Sequence, residues 1–212
     1  EGHFLSYFHI LSGHSGTEKL RSHLNNYFFP EKLKKITEIS RKCFCCFMTK
    51  HNNTRKPHLG VYAITNYAFE HVFVDLAENL PLADGYQHLL VMSCPFSSMT
   101  AAVPLKTKTS SAVIHAFLSG LYPWVNIKAL ICDNAPCFSS QEFHDILKTL
   151  KIKRILIANL HPESNNFAEQ AVKRCKSLLR KFPTTASSYS WVQILPVLLK
   201  IINTTEMANT NF

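Results

Sequence analysis

The chain has 212 residues, and 46% of them are hydrophobic, which is enough for a packed core. No apolar run reaches the roughly 18 uncharged residues that cross a membrane, and the first residues lack the features of a signal peptide. The net charge of +9 favours a polyanionic partner such as nucleic acid, although many ordinary proteins are as basic. Seven cysteines, an odd number, argue against a secreted disulfide framework and favour a reducing compartment.

The first part of the chain, residues 1–50, predicts a small helical module. Thr17–Tyr27 and Glu31–Ser40 carry Leu, Tyr, Phe and Ile at helical spacing, with a proline between them. Residues 1–65 hold ten Lys or Arg against four acidic residues, so this part of the chain is basic. A helical module of this size is only marginally stable without a further cross-link. The segment that follows, residues 51–66, is polar and lacks periodicity, and we predict that it is a linker.

The remainder, residues 67–212, predicts a ribonuclease-H-like α/β fold. The first three of its five short apolar runs follow one another closely, as strands of a meander do. The last two alternate with helical patterns, and this order favours a five-stranded mixed sheet with flanking helices. The predicted strands are His71–Ala77, Gln87–Ser93, Met99–Leu105, Ile127–Cys132 and Ile152–Ile157. The predicted helices are Ser110–Leu121, Ser140–Leu150, Asn166–Lys181 and Ser190–Asn203.

Two pairs of metal-binding residue types lie in the front module. His9 and His14 are separated by four residues, and Cys43 and Cys46 form a Cys-x-x-Cys pair. Two histidines and two cysteines complete the tetrahedral shell of a structural zinc ion, and such an ion contributes folding free energy to a module with a small core. Scattered histidines and a buried thiol cluster are the plainer interpretation. Cys45 can replace either neighbour, but the spacing favours Cys43 and Cys46.

Three carboxylates in the second part stand out, although each is ambiguous alone. Asp75 interrupts an apolar strand, which is also explained if its side chain faces solvent. Asp133 follows a strand, where a turn is equally expected, and Glu169 lies near a helix start, where the helix dipole favours acids anyway. Strand ends and a neighbouring helix start are, however, where an α/β sheet gathers distant side chains. Together, the three acids would form an oxygen-rich site suited to two Mg²⁺ or Mn²⁺ ions.

The sequence around these residues resembles that of the integrases of retroviruses and gypsy-type retrotransposons. Asp133 and Glu169 are separated by 35 residues, in the segments CDNAPCFSSQEF and HPESNNFAEQAVK. These are similar to the family's Asp-Asn-Gly-x-x-Phe-x-Ser and His-Pro-Gln-Ser-Asn-Gly-x-x-Glu segments. NYAFEHVFVDLAENLPLADGYQHLLVM resembles its first Asp strand, proline turn and second strand, while GHSGTEKL and YFFP are similar to its His-His-Cys-Cys domain. The resemblance covers nearly the whole chain.

The resemblance implies a metal-dependent enzyme of the Asp-Asp-Glu type, which processes the 3′ ends of element DNA and joins them to target DNA by direct transesterification. Asp75, Asp133 and Glu169 would hold two Mg²⁺ or Mn²⁺ ions, and the His₂Cys₂ set would hold one structural Zn²⁺. Three positions depart from the family's pattern without removing a metal ligand: Ala135 and Asn166 replace glycines, and Glu163 replaces a glutamine.

Further expectations concern partners. Lys173 and Lys176 follow Glu169 by four and seven residues, on one helix face, where they either pair with it or contact DNA. We expect DNA contacts there and at Asn165 and Asn166. The resemblance also implies a dimer or tetramer on DNA, action in the nucleus, presence in viral or virus-like particles, a host chromatin factor as tether, and a further DNA-binding domain after this segment.

Three alternatives stay open. The first is a nucleic-acid-binding descendant of an integrase without catalytic activity, which the intact triad disfavours. The second is another ribonuclease-H-like enzyme, a transposase or nuclease, which the His-His-Cys-Cys order disfavours. The third is a zinc-stabilised interaction domain, which leaves the spacing between Asp133 and Glu169 unexplained.

Overall fold

The front part of the chain is helical, as predicted. A computed structural model of the protein describes residues 2–49, 65–157, 166–182 and 189–204. In the first of these ranges the helices are α1 (Gly2–Leu11), α2 (Thr17–His23), α3 (Lys32–Lys42) and α4 (Phe44–Thr49). The sequence predicted α2 and α3 but not α1 and α4. Helix α4 has only six residues, which is too short to show a helical period.

Helices α1, α2 and α3 share a small core. Leu5, Leu20, Leu24 and Ile36 are fully buried there, and Phe8, Phe29 and Ile39 pack around them. Four buried aliphatic side chains stabilise a module only modestly, because the entropy cost of ordering its chain is comparable with the gain from burial. Packing among α1, α2 and α3 is therefore only part of what stabilises this region.

The predicted five-stranded mixed sheet is present. Its strands lie in the order β3-β2-β1-β4-β5, with antiparallel β3-β2-β1 pairing and parallel β1-β4-β5 pairing. Asp84 and Gly85, both with positive φ, turn the chain between β1 and β2. Pro104 is tolerated in β3 because β3 is an edge strand. The strands are β1 (His71–Ala77), β2 (His88–Ser93), β3 (Thr100–Leu105), β4 (Ala129–Cys132) and β5 (Lys153–Leu156).

The helices that follow β3 in the sequence lie close to their predicted positions. Thr109 and Ser140 cap α5 and α7, because each side-chain oxygen accepts a backbone N–H of the first turn. The short α6, between β4 and α7, was not predicted separately. The helices are α5 (Ser110–Gly120), α6 (Pro136–Ser139), α7 (Gln141–Thr149), α8 (Asn166–Lys181) and α9 (Trp191–Thr204), with a 3-10 turn at Tyr122–Trp124.

The two faces of the sheet are covered by different helices. Alternate residues of β1, Val72 and Val74, face a large core that α5 and α7 complete with Phe117 and Phe143. The opposite face carries a smaller cluster of Phe73, Ile131 and Ala168, with Phe167 packed against it. Because Ala168 and Phe167 belong to α8, the start of this helix covers the second face.

The chain divides into two compact units. One unit contains residues 55–174, and the other contains residues 1–54 together with residues 175–212. The predicted linker, residues 51–66, falls almost wholly outside the described residues, so the predicted division into domains 1–50 and 67–212 stays a prediction. Among the described helices, none combines the length and the apolar character needed to cross a bilayer.

Candidate active site and metal centre

Asp75 and Asp133 are placed at adjacent parallel strands. Val74 of β1 is the register partner of Cys132 of β4, and one aspartate follows each of these residues. Asp75 and Asp133 each lie one residue beyond this pair, so the same register makes them neighbours on the two adjacent strands. Asp75 also shares a face of β1 with Phe73, because successive side chains alternate. It therefore lies on the face that the start of α8 covers.

Glu169 stands in the first turn of α8, at the same face of the sheet. Its neighbour Ala168 is fully buried with Phe73 and Ile131, each of which lies two residues before a predicted metal-binding aspartate. The Phe167 ring lies 5.5 Å from the Phe73 ring, between centroids. This packing sets where the helix begins relative to β1 and β4.

The three carboxylates make local contacts. Oδ1 of Asp75 accepts the N–H of Leu76 at 2.7 Å, and Oδ1 of Asp133 accepts the N–H of Ala135 at 3.1 Å. Oε2 of Glu169 lies 3.5 Å from Nζ of Lys173. In the part of the chain that the structure describes, the only group of side chains gathered closely enough to hold an ion is the His₂Cys₂ set. The fold thus places Asp75 and Asp133 on neighbouring strands and Glu169 on the helix that covers that face, without clustering their oxygens.

Thiols beside Asp133 stay protonated. Burial, together with the charge of Asp133, raises the pKa of Cys132 to about 12. Burial and the same carboxylate also raise the pKa of Cys137. Carboxylate oxygens are the ligands that Mg²⁺ and Mn²⁺ prefer, and the aspartates supply them here.

Arg154 is a residue that the sequence analysis missed. Its Nη1 donates to the carbonyl oxygens of Phe138 and Ser140 at 3.0 and 3.1 Å, which ties β5 to α6 and to the residue between α6 and α7. This segment closes the loop that begins with Asp133, so Arg154 helps to hold that loop in place. A charged residue inside an apolar strand was the signal in the sequence.

The four predicted zinc ligands are brought together in the helical unit. Their ligand atoms all lie within 4.8 Å of one another. Nδ1 of His14 is 3.1 Å from Sγ of Cys43, and Nε2 of His9 is 3.3 Å from Sγ of Cys46. Zn–S and Zn–N bonds at tetrahedral angles separate such atoms by about 3.5 Å. The group is therefore of the right size for one zinc ion, and zinc binding itself stays a prediction.

The chemistry of this donor set also fits zinc. Burial lowers the pKa of His14 to about 4, and it also lowers the pKa of His9, so both rings are neutral and able to bind a metal. Burial raises the pKa of Cys46 to about 11. A thiolate at Cys46 therefore needs a nearby cation, which a divalent ion supplies. Cys45 is buried and is not a member of the group.

The residues predicted to contact DNA lie on or before α8. Lys173 is exposed and faces Glu169, and Lys176 is half-buried one turn further along the same helix. Asn166 begins the helix, and Asn165 lies outside the described residues. A DNA contact at any of these four positions stays a prediction.

Solved structures share the ribonuclease-H-like fold with this chain. A simian T-cell lymphotropic virus intasome in complex with the PP2A regulatory subunit B56 gamma matches with a TM-score of 0.61 and 21% identity, over 98% of this chain and 71% of that chain. The HTLV-2 integrase catalytic core domain in complex with magnesium, in a dimeric form, matches with a TM-score of 0.57 and 21% identity, over 68% and 94% of the two chains. The fold is therefore that of retroviral integrase catalytic cores.

Sequence relatives agree with this fold. The Pro-Pol polyprotein of feline foamy virus is 26% identical over 200 residues, which is 94% of this chain and 17% of the polyprotein. The Pol polyprotein of the Drosophila melanogaster transposon gypsy is 25% identical over 183 residues, which is 82% of this chain and 17% of the polyprotein. No protein-family model matches the chain. These relatives confirm the predicted resemblance to retroviral-type integrases, and the chain spans about a sixth of either polyprotein.

Proposed function

We propose that this chain is the zinc-binding and catalytic part of an integrase. It acts as a metal-dependent polynucleotidyl transferase that processes the 3′ ends of element DNA and joins them to target DNA. The observation that carries this proposal is the pairing of Val74 with Cys132, since an aspartate follows each residue and the start of α8 packs on that face of the sheet. The relatives support the same reaction class.

The predicted residues have distinct roles in this reaction. Bound Mg²⁺ or Mn²⁺ ions, two for each site, would supply Lewis-acid stabilisation of the attacking and leaving oxygens. Asp75 and Asp133 would hold these ions, and Glu169 would complete the site by turning from Lys173 toward the aspartates. These carboxylates stay in place through both steps, and no covalent bond to the protein forms.

Bonds and protons balance in each step. In the first step, water attacks a phosphodiester, the bond to the 3′ oxygen of the element strand breaks, and that oxygen takes up a proton. In the second step, this 3′ hydroxyl loses its proton and attacks a target phosphodiester in line, while a target 3′ oxygen leaves and takes up a proton. The number of phosphodiester bonds is unchanged by joining, so the second step needs no external energy source.

Lysines on α8 support the DNA part of the proposal. If Glu169 turned to hold a metal ion, its ion pair with Lys173 would be released, and the ammonium group would be available for a phosphate of the bound DNA end. Lys176 lies on the same face of the helix. We place the element end along this face, with Asn165 and Asn166 at its border.

The working form that we propose is a dimer or tetramer on DNA. An element has two ends, and one triad positions one attacking hydroxyl at a time, so concerted joining needs two active sites. Symmetric assembly is the common way to supply them. The proposal extends to action in the nucleus, to presence in viral or virus-like particles and to a host chromatin factor as tether. A wild-type protein that joins both ends while staying a monomer on DNA would disprove the assembly.

A branched oligonucleotide that mimics the joined product tests the chemistry, since transesterification is reversible. With Mg²⁺ or Mn²⁺, the wild-type chain should resolve the branch, while Glu169→Gln should bind the same DNA without turnover. Glu142→Gln is the matched control, because Glu142 is an exposed acid in the first turn of α7. Normal turnover by Glu169→Gln would refute the triad. Binding without turnover by the wild-type chain would favour a nucleic-acid-binding descendant.

A further inference from the structure

The turn that carries His14 has an unusual backbone. Gly13 and His14 have φ values of +68° and +57°, in the left-handed region that a residue with a Cβ atom rarely adopts. Their N–H groups donate to the carbonyl oxygens of Ile10 and His9 at the end of α1. The turn therefore orients the His14 ring against the His9 ring, at 4.9 Å between centroids and 84° between planes.

Two apolar side chains from later in the sequence pack against this turn. A Cβ atom on Gly13 would lie 2.8 Å from Cγ2 of Ile201 and 2.9 Å from Cδ2 of Leu178. These distances are shorter than any ordinary carbon–carbon contact. Glycine is therefore required at position 13 for two reasons: it adopts the positive φ, and it leaves room for the side chains of Leu178 in α8 and Ile201 in α9.

A polar contact supports the same turn. Nζ of Lys181, at the end of α8, donates to the carbonyl oxygen of His14 at 3.5 Å. Gly13, His14, Leu178, Lys181 and Ile201 belong to the same compact unit. A disfavoured backbone conformation persists only when its surroundings hold it from several sides. Here, the end of α1, the end of α8 and α9 all contribute.

We propose that Lys181, Leu178 and Ile201 are positioning residues of the zinc centre. They hold the left-handed turn at Gly13 and His14, and so aim Nδ1 of His14 at the ion. The zinc-binding unit thus includes the end of α8 and α9, beyond the helical module that the sequence predicts. This inference rests on the proposed zinc binding and does not depend on the DNA chemistry. Partners that orient a metal ligand commonly govern the affinity of the site.

Zinc affinity of the purified full chain tests the apolar contact, by competition with a chromophoric chelator. Gly13→Ala should weaken zinc binding by about tenfold or more, while Gly16→Ala should stay within about twofold of the wild type. Gly16 is the matched control, because a Cβ atom there meets nothing within 4 Å and its φ is −65°. Equal affinities for the two variants would refute the proposal.

The polar contact has its own set of variants. Lys181→Met should weaken zinc binding by about tenfold, and Lys181→Arg should recover most of the affinity, because a guanidinium group can still donate to the carbonyl oxygen of His14. Lys200→Met is the control, since Lys200 is exposed on α9 in the same unit. Wild-type affinity in Lys181→Met would remove Lys181 from the proposal.

Hydrogen exchange separates positioning from general damage to the fold. Coupling between two sites is reciprocal, so zinc removal from the wild-type chain should speed exchange in α9 while β1 and β2 stay protected. Exchange in α9 that does not respond to zinc would overturn the inference, whether or not Gly13→Ala folds. A wild-type chain that binds no zinc would overturn both the zinc centre and this inference, while leaving the proposed joining reaction testable.

Discussion

Val74 of β1 and Cys132 of β4 are register partners in a parallel pair of strands, and each directly precedes an aspartate. This pairing places the residues that follow Val74 and Cys132 on neighbouring strands, so residues far apart in the sequence come together on the sheet. The large core fixes this register, because Val74 and Cys132 are both buried in it. A shift by one residue would turn these side chains to the other face of the sheet.

The first prediction concerns the two aspartates. Asp75→Asn and Asp133→Asn should each lower the rate of the joining reaction by about 100-fold or more, because a neutral amide stabilises a cation far less than a carboxylate does. Binding of Mn²⁺, followed by calorimetry, should weaken in parallel. Asp145→Asn is the control, an exposed acid on α7 that should have no effect on either measurement.

The second prediction concerns Lys173. If its ammonium group contacts a phosphate of bound DNA, Lys173→Gln should reduce the slope of log affinity against log salt by about 0.9. The affinity of a duplex oligonucleotide, measured at several salt concentrations with Mg²⁺ present, gives this slope. Lys148→Gln, an exposed lysine on α7, should leave it unchanged. An unchanged slope in Lys173→Gln would show that Lys173 does not contact phosphate.

Much of the fold was predictable because it depends on local patterns. The strand His71–Ala77 and the helix Asn166–Lys181 have the predicted bounds, since a short apolar run and helical spacing are both visible in a single sequence. The four zinc ligands were also predictable, because histidine and cysteine are the residue types that bind zinc. The contact of Lys181 with His14 was invisible, because it joins residues 167 positions apart through an ordinary lysine. Tertiary packing of this kind leaves no local pattern to detect.

The third prediction concerns the cysteines of the zinc centre. Purified wild-type chain should carry about one zinc ion, and Cys43→Ser and Cys46→Ser should carry almost none, because a structural site needs all four ligands. Cys45→Ala should retain zinc, since Cys45 is not within the ligand group. Metal content measured by mass spectrometry decides this. Loss of zinc from Cys45→Ala together with retention in Cys43→Ser would show that Cys45 is the true ligand.

A chelator should affect the two units differently, and this is the fourth prediction. Zinc adds folding free energy to the small core that α1, α2 and α3 share, so chelation should melt these helices. The sheet has its own large core and should stay folded. Hydrogen exchange of the full chain, with and without chelator, measures the protection of these helices and of the sheet separately. If β1 and β2 lose protection together with α1, the two units do not fold independently.

The fifth prediction concerns an ion pair at the start of β1 and β4. Nζ of Lys128 lies 2.8 Å from Oε1 of Glu70, whose side chain is only 7% exposed. Oε2 of the same carboxylate accepts the N–H of Asn66 at 2.6 Å. The hydrogen bond from Lys128, followed by the bond from Asn66, lowers the pKa of Glu70 below its ordinary value of 4.5. The ionised form is therefore the one that the folded state prefers.

The direction of this pKa shift determines how the stability of the fold depends on pH. Because the pKa of Glu70 is lower in the folded chain than in the unfolded chain, its contribution to stability is present above about pH 4.5 and is lost as the pH falls through the folded pKa. Glu70→Gln should therefore melt a few degrees below the wild type at pH 7, and this gap should close in acid. Glu142→Gln, whose carboxylate has only the helix dipole and no salt bridge among the described contacts, should show a much smaller gap at pH 7. Thermal unfolding followed by circular dichroism, at pH 7 and at the lowest pH where both proteins fold reversibly, makes the comparison. A gap that persists unchanged in acid would mean that the shape of the side chain matters there, and its charge does not.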